Sequence, residues 1–288
     1  MTTFSLTLLC LASFGVHLIP VHCAYLRTTQ SNATNGKHVV RTNASLALPA
    51  WVSSCKYIYL DLGSSIGVQI RKLYEPRKYP QATVTPVFDQ YFGYEGQRRL
   101  PATQNGMCAL GFEPNPMHYS RLEQLEAAYM AKGWHVHFFK AAVWSSAGSM
   151  TFTGVGNDPG HRDWGAKLRV PLSLNNYDVE VPTVDIAAFV QSLPANSVQL
   201  MKMDIEGAEY ECVPHMINHH TLCANTIKAA FAEAHAWGNT RNWPGQRNFA
   251  SIKWHVDTQQ GCPAGVTQFI DLDDESYLHD VDDNFGYP

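Results

Sequence analysis

The sequence contains no Cys-x-x-Cys pair among its seven cysteines, which removes the usual zinc-binding spacing. No Lys or Arg follows residue 253, although eight acids do, so the first 253 residues carry +4 against a net charge of −4. That distribution offers no basic face, and no nucleic-acid partner is expected. The acidic end reads as a solvated surface. No internal repeat is visible, and 288 residues at 45% hydrophobic and 16% charged suit one globular domain.

Charge of either sign is also missing from residues 4–24. The apolar centre, residues 6–16, has signal-peptide length, while His17 and Pro20 make a poor membrane span. Residues 1–24 are therefore read as a signal peptide or, failing cleavage, a membrane anchor. Residues 25–54 form a Ser/Thr/Asn-rich stem with two sequons, at Asn32 and Asn43. Both features favour the secretory-pathway lumen or secretion, with membrane contact only through an uncleaved N-terminal segment. Removing the leader leaves Cys55, Cys108, Cys212, Cys223 and Cys262, an odd number, so one thiol should lack an intrachain partner.

The third domain spans 55–288. Its most informative stretch is VQLMKMDIEGAEYECV at 198–213: a short apolar run of the kind buried on both sheet faces, then a helical pattern. Asp204 and Glu206 fall at the strand's carboxyl end, where open α/β sheets place their ligand crevice. Asp204 serving only as a helix cap is the competing reading. Lys202, inside the strand pattern, needs a charged partner.

An earlier unit has the same grammar. Residues 57–61 read as a strand, 62–67 as a glycine turn and 68–74 as a helix. The turn is Asp-x-Gly-x-x-x-Gly rather than the Gly-x-Gly-x-x-Gly of dinucleotide binders. Residues 75–106 then interrupt the pattern with four prolines and the aromatics Phe88, Tyr91, Phe92 and Tyr94. An insertion of that length is either a lid or acceptor wall, or a surface excursion with its own apolar cluster. A second strand ends at Glu113, a helix follows at 117–131, and a third strand runs over 135–140. Short strands at 150–152 and 167–170 flank a Gly-rich loop with Asn157, His161, Arg162 and Trp164 that reads as substrate-facing or merely polar. A short helix over 184–193 precedes the fourth strand. A fifth strand over 226–232 leads to Glu233 and His235, a helix is predicted over 242–258, and 265–270 reads as a strand of a closing hairpin.

YLDLGSSIG, GFEPNP, KAAV, LMKMDIEGAEYE and FAEAH, in that order, resemble the FkbM family of S-adenosylmethionine-dependent methyltransferases over residues 56–237. The resemblance implies a class I, Rossmann-like α/β fold: a seven-stranded, mostly parallel sheet with helices on both faces. It also implies O-methylation of a hydroxyl, with a glycan or another secretory-pathway acceptor as partner. By position Asp61, Gly63, Ser65 and Gly67 would cradle the methionine part of the cofactor, Glu113 the ribose, and Ala142 and Val143 the adenine, with Asp204 alongside. Ser65 departs from the family, which usually has Asn there. The alternative is an inactive secreted domain that kept the fold as a binding module.

The sulfonium already activates its methyl, so catalysis is mostly alignment, but a neutral hydroxyl needs help in losing its proton. Asp204, Glu206, Glu233 and His235 all fall at strand ends near the expected methyl group. His235 is the expected base, because an unperturbed imidazole has a pKa of about 6.5. A divalent cation on these oxygens is conceivable but not expected. In this fold Cys55 and Cys108 sit at matched depth on neighbouring strands and are expected to pair. Cys212 with Cys223 is the expected second bridge.

Overall fold

The computed structural model describes residues 47–155, 166–169, 178–236, 243–274 and 276. The leader, both sequons, the loop at 156–165 and Trp237 lie outside the described residues. The chain divides into residues 1–37 and 38–288, and all the described residues belong to the second unit.

In chain order the strands are β1 (Tyr57–Leu62), β2 (Met107–Phe112), β3 (His135–Phe139), β4 (Ala142–Trp144), β5 (Gly148–Thr153), β6 (Lys167–Arg169), β7 (Asp178–Asp185), β8 (Val198–Met203), β9 (Ile227–Ala232) and β10 (Gln268–Ile270). The helices are α1 (Val68–Tyr74), α2 (Thr85–Phe92), α3 (Glu95–Arg98), α4 (Ala102–Asn105), α5 (Tyr119–Met130), α6 (Ile186–Gln191), α7 (Glu209–Asn218) and α8 (Phe249–Thr258).

Six strands form one sheet in the order β10-β9-β8-β1-β2-β3, every pair parallel. Among the described residues the sheet thus has six strands rather than seven. Nor is β10 part of a closing hairpin: it runs parallel to β9. The chain crosses outward from β1 to β3, then returns to the other side of β1 and crosses outward again from β8 to β10. The reversal between β1 and β8 is the topological switch point, and in open α/β sheets the crevice opens there, beyond the carboxyl ends of the strands.

Alternation along each strand supplies two cores. Ile58, Leu60 and Leu62 join Leu110, Phe112, Met201 and Met203 under α6, α7 and α8, where Phe189, Tyr210, Val213, Met216, Ile252 and Val256 close the layer. Tyr59, Ala109, Val136 and Leu200 face the other way, under α1, α2 and α5, against Ile70, Leu73, Phe88, Leu122 and Leu125. A slip of β1 by one residue would exchange these sets, so the register is strongly specified.

A second sheet, in the order β4-β7-β5-β6, sits beside the crevice, with β5 antiparallel to both β7 and β6. β7 escaped the sequence reading because Pro182 stands in its middle, where a strand is not expected. The last predicted helix is shorter than expected: α8 begins at Phe249, capped by the Asn248 side chain accepting from Ser251 N.

The insertion packs as core and does not line the cleft at the switch point. Phe88 is fully buried and meets Tyr59 edge-on at 5.1 Å, with Phe92 also against Tyr59. Arg98, almost fully buried, donates to the carbonyls of Leu73 and Gly93 and to Asp89, pinning α2 and α3 to the end of α1. Of the insertion's aromatics, Phe88 and Tyr91 are buried in the core of one face of the sheet and Phe92 packs partly buried against it, whereas Tyr94 is exposed. Cys55 and Cys108 are bridged, Cα atoms 5.9 Å apart, as expected. The second bridge is Cys223–Cys262, not Cys212–Cys223. Cys212 is fully buried on α7 in the core, whereas Cys223 pairs as an isolated bridge with Val266, which brings the 262–265 turn to it. Among the described residues no helix is long and apolar enough to cross a membrane.

Candidate functional site

A cleft opens at the switch point, beyond the carboxyl ends of β1, β2 and β8. Its floor is the turn after β1 and the turn after β8, and these two touch. Gly63 lies at φ 82°, and a Cβ there would come 1.7 Å from the carbonyl oxygen of Asp204, so only glycine allows the approach. The contact is sealed by Asp204 N donating to Leu62 O at 3.0 Å and Lys202 Nζ donating to Gly63 O at 2.8 Å. Gly67 answers a different need: a Cβ there would strike Leu125 of α5 at 2.6 Å. Both glycines therefore serve close packing of protein on protein at the edge of the cleft.

Ser65 has φ 48°, the left-handed region that asparagine tolerates better than serine. Its N–H donates to Glu113 Oε2 at 2.6 Å, and Asn115 N donates to Glu113 Oε1 at 2.7 Å. Glu113, at the tip of β2, thus clamps the β1 turn to its own. Oε1 also faces His118 Nδ1 at 3.3 Å, Oε2 keeps a second lone-pair site, and the residue lines the cleft. Ala142 and Val143 line it on the far side, with Phe152 and Ala166 completing an apolar wall. Sequence reasoning missed Asn115 and Gln69. Both line the cleft and are buried, yet among the described residues Asn115 Nδ2 and Gln69 Oε1 have no hydrogen-bond partner. Asn115 stands inside GFEPNP, so its position was legible; its unused amide was not.

Asp61 is fully buried and does not line the cleft. The register sets it directly opposite Lys202, with Oδ1 3.8 Å from Nζ. Burial pushes Asp61 up to about 6, against the pull of Lys202. Lys202 bonds Asp204 Oδ2 at 2.9 Å. Burial alone would lower the ammonium, but Asp204 and Asp61 outweigh it and hold it above its ordinary value. The partner that the charge inside the strand required is therefore two carboxylates.

Past Lys202, the positive φ of Glu206 (54°) and Gly207 (93°) turns the chain sharply into α7. Asp204, Glu206 and Glu233 all line the cleft; His235, nearly fully buried, stands behind them. Its Nδ1 lies 3.0 Å from Oε1 of Glu209, a residue sequence reasoning did not single out, and that oxygen also accepts Ile205 N at 2.9 Å. Its Nε2 faces Glu233 at 3.2 Å, Asp204 at 3.8 Å and Glu206 at 3.9 Å. Burial disfavours the imidazolium, yet the bonds to Glu209 and Glu233 and the charges of Glu209 and Glu206 prevail and raise His235 to about 11. The premise for a histidine base, an unperturbed imidazole, is not met here: without a cation the surrounding carboxylates favour the protonated ring, and it is set back from the cleft. Burial pushes Glu206 up to about 7; His235 draws it down, while Asp204, Glu209 and Glu233 reinforce the rise.

A family model described as the methyltransferase FkbM domain matches residues 88–279. Comparison with curated proteins finds no match, and neither does comparison with solved structures. The matched segment contains Glu113, Asp204, Glu206, Glu233 and His235, while the glycine turn at 61–67 precedes it. Since the match spans well over half of the sequence, and the parallel sheet carries its polar cleft at the switch point, the chain belongs to the FkbM methyltransferase family.

Proposed function

We propose that the protein transfers a methyl group from S-adenosylmethionine to a hydroxyl of a secretory-pathway acceptor, with a glycan as the first candidate. One observation carries the reading: the β1 turn, Glu113 and the carboxylates after β8 and β9 meet at a single cleft that also has an apolar wall. The cleft fits such a cofactor. Asn115 Nδ2 and Gln69 Oε1 are a buried donor and acceptor with no partner among the described residues, as a site for a polar ligand requires. Glu113 would hold the ribose hydroxyls, and Ala142, Val143, Phe152 and Ala166 would flank the adenine.

When bound, the cofactor supplies a methyl group activated on a sulfonium. The protein's own work is to orient the acceptor and receive its proton. Glu206 and Glu233 line the cleft, and on this reading they face the acceptor, where a carboxylate takes the hydroxyl proton as the oxygen gains the methyl. His235 holds these carboxylates in place and offsets their mutual repulsion, and Lys202 does the same for Asp204 beside them. The luminal assignment is supported by the Cys55–Cys108 and Cys223–Cys262 bridges, a pattern of oxidising compartments.

Calorimetric titration of the secreted protein with S-adenosylmethionine tests the cofactor. Transfer of labelled methyl from it to a panel of neutral glycans tests the reaction. Cofactor binding without transfer to any hydroxyl acceptor points away from O-methylation. Absence of binding favours an inactive domain that kept the fold as a binding module.

A further inference from the structure

We infer that Asp204, Glu206 and His235 form a site for one divalent cation at the acceptor end of the cleft. The inference rests on the methyl-transfer reading for its purpose, though not for its geometry. One ligand atom from each residue lies within 4.8 Å of the other two. His235 Nε2 is 3.8 Å from Asp204 Oδ1 and 3.9 Å from Glu206 Oε2. Those spacings exceed hydrogen bonds. They suit a shared ion, because donors about 2.1 Å from one metal lie about 3–4 Å apart.

Two further features point to a missing cation. The first is how His235 is held. A ligating histidine characteristically gives its second ring nitrogen to a carboxylate. Here Glu209, fully buried, takes Nδ1 at 3.0 Å, while Nε2 faces Glu233 at 3.2 Å and the two ligand carboxylates just beyond, and a cation would take the place of the Nε2 proton. The second is unmet polarity. Asp61, Asp204, Glu206, Glu209 and Glu233 crowd around Lys202 and His235. Among the described residues, both oxygens of Asp61, and one oxygen each of Glu206 and Glu209, are buried without a hydrogen-bond partner. Asp61 and Glu209 are fully buried. Buried carboxylate oxygens are ordinarily satisfied, so this cluster is short of positive charge.

The donor set names the class of ion. One imidazole nitrogen with two carboxylates suits manganese or zinc better than the all-oxygen sites preferred by calcium. Asp204 already gives Oδ2 to Lys202, so Oδ1 is the oxygen left on the His235 side. Because Asp204 and Glu206 line the cleft and His235 stands behind them, the open coordination positions face the acceptor. A cation there would draw the acceptor hydroxyl in and ease loss of its proton, with Glu233 the neighbouring carboxylate left to take it.

The test uses the full chain, secreted from a eukaryotic host and stripped with a chelator. Manganese is titrated in and followed by the loss of the free-ion paramagnetic resonance signal, and zinc and magnesium are titrated by calorimetry. The same samples are titrated with S-adenosylmethionine. One manganese should bind per chain. Glu206→Gln and His235→Gln should each weaken it at least about 10-fold, and Glu209→Gln should weaken it about 10–100-fold through the orientation of His235. Failure of all three metals to bind at millimolar concentration, in protein that still binds the cofactor, overturns the cation site and spares the methyltransferase reading. Manganese bound with unchanged affinity in both Glu206→Gln and His235→Gln overturns it as well. Manganese binding lost in both variants, in protein that never binds the cofactor, upholds the site and sinks the cofactor reading instead.

Discussion

Glu113→Ala separates the structural from the binding role of the acid at the tip of β2. In the folded protein its carboxylate accepts Ser65 N at 2.6 Å and Asn115 N at 2.7 Å. Truncation leaves two backbone donors that met a charged acceptor, each such bond contributing about 1.5–3 kcal/mol. The cleft admits water to part of this void, so a total loss of about 2–4 kcal/mol in unfolding free energy is expected. For a domain of this size that lowers the melting temperature by about 4–16 °C. Loss of the ribose contact adds a separate penalty of about 1–3 kcal/mol on cofactor binding, a roughly 5- to 150-fold weaker Kd. Glu113→Gln keeps one acceptor oxygen and should fall between wild type and Ala on both scales. The assay pairs urea unfolding, read by its midpoint and slope, with calorimetric titration well below the lowered melting point. Wild-type stability in Glu113→Ala would refute the clamp. Wild-type affinity in a folded variant would remove Glu113 from the ribose site.

Phe88→Ala should cost about 3–5 kcal/mol of stability, as for a fully buried aromatic, with cofactor affinity unchanged per folded molecule; a selective rise in acceptor KM at normal stability would return the insertion to the acceptor site. Ser65→Asn should stabilise the protein by a few tenths to about 1 kcal/mol, because φ 48° strains serine more than asparagine, and an unchanged or lower melting temperature would contradict that. Asp274 is paired with Lys72 at 3.1 Å and accepts Val84 N and Ser276 N. Burial acts to raise its pKa, but Ser276, Lys72 and Val84 together hold the carboxyl below its ordinary value. Its contribution is therefore full above the unfolded value of about 3.9 and is lost as pH falls through the lower folded value. Urea midpoints between pH 6 and pH 2 (roughly the span over which a carboxylate titrates) should fall more steeply for wild type than for Asp274→Asn; parallel curves would exclude the pair as an acid-sensitive staple. Non-reducing peptide mapping should recover Cys55–Cys108 and Cys223–Cys262, with Cys212 alkylated only after denaturation. Recovery of a Cys212–Cys223 peptide would contradict the packing of α7.

Local patterns sufficed for the frame of this molecule. Buried strands announce themselves as short apolar runs, so β1, β2, β8 and β9 were legible, as were the turns that follow them and the acids at their tips. The Cys55–Cys108 bridge was anticipated too, but not because the depths are equal: the register sets Cys108 opposite Ile58, and Cys55 reaches it from the end of the turn at 50–54 that precedes β1. What the linear pattern could not carry is which side of an element faces what. The aromatics at 88–92 read equally well as acceptor wall or core, and only their packing against Tyr59 decides for core. Pro182 hid β7, because a strand at that position depends on partners in β4 and β5 rather than on its own residues. The state of His235 is the clearest case. Its sequence neighbours suggest an ordinary imidazole, but four carboxylates from the turns after β8 and β9 and the start of α7 surround it in three dimensions and fix its charge. Electrostatics is a sum over space, and the fold alone sets those distances.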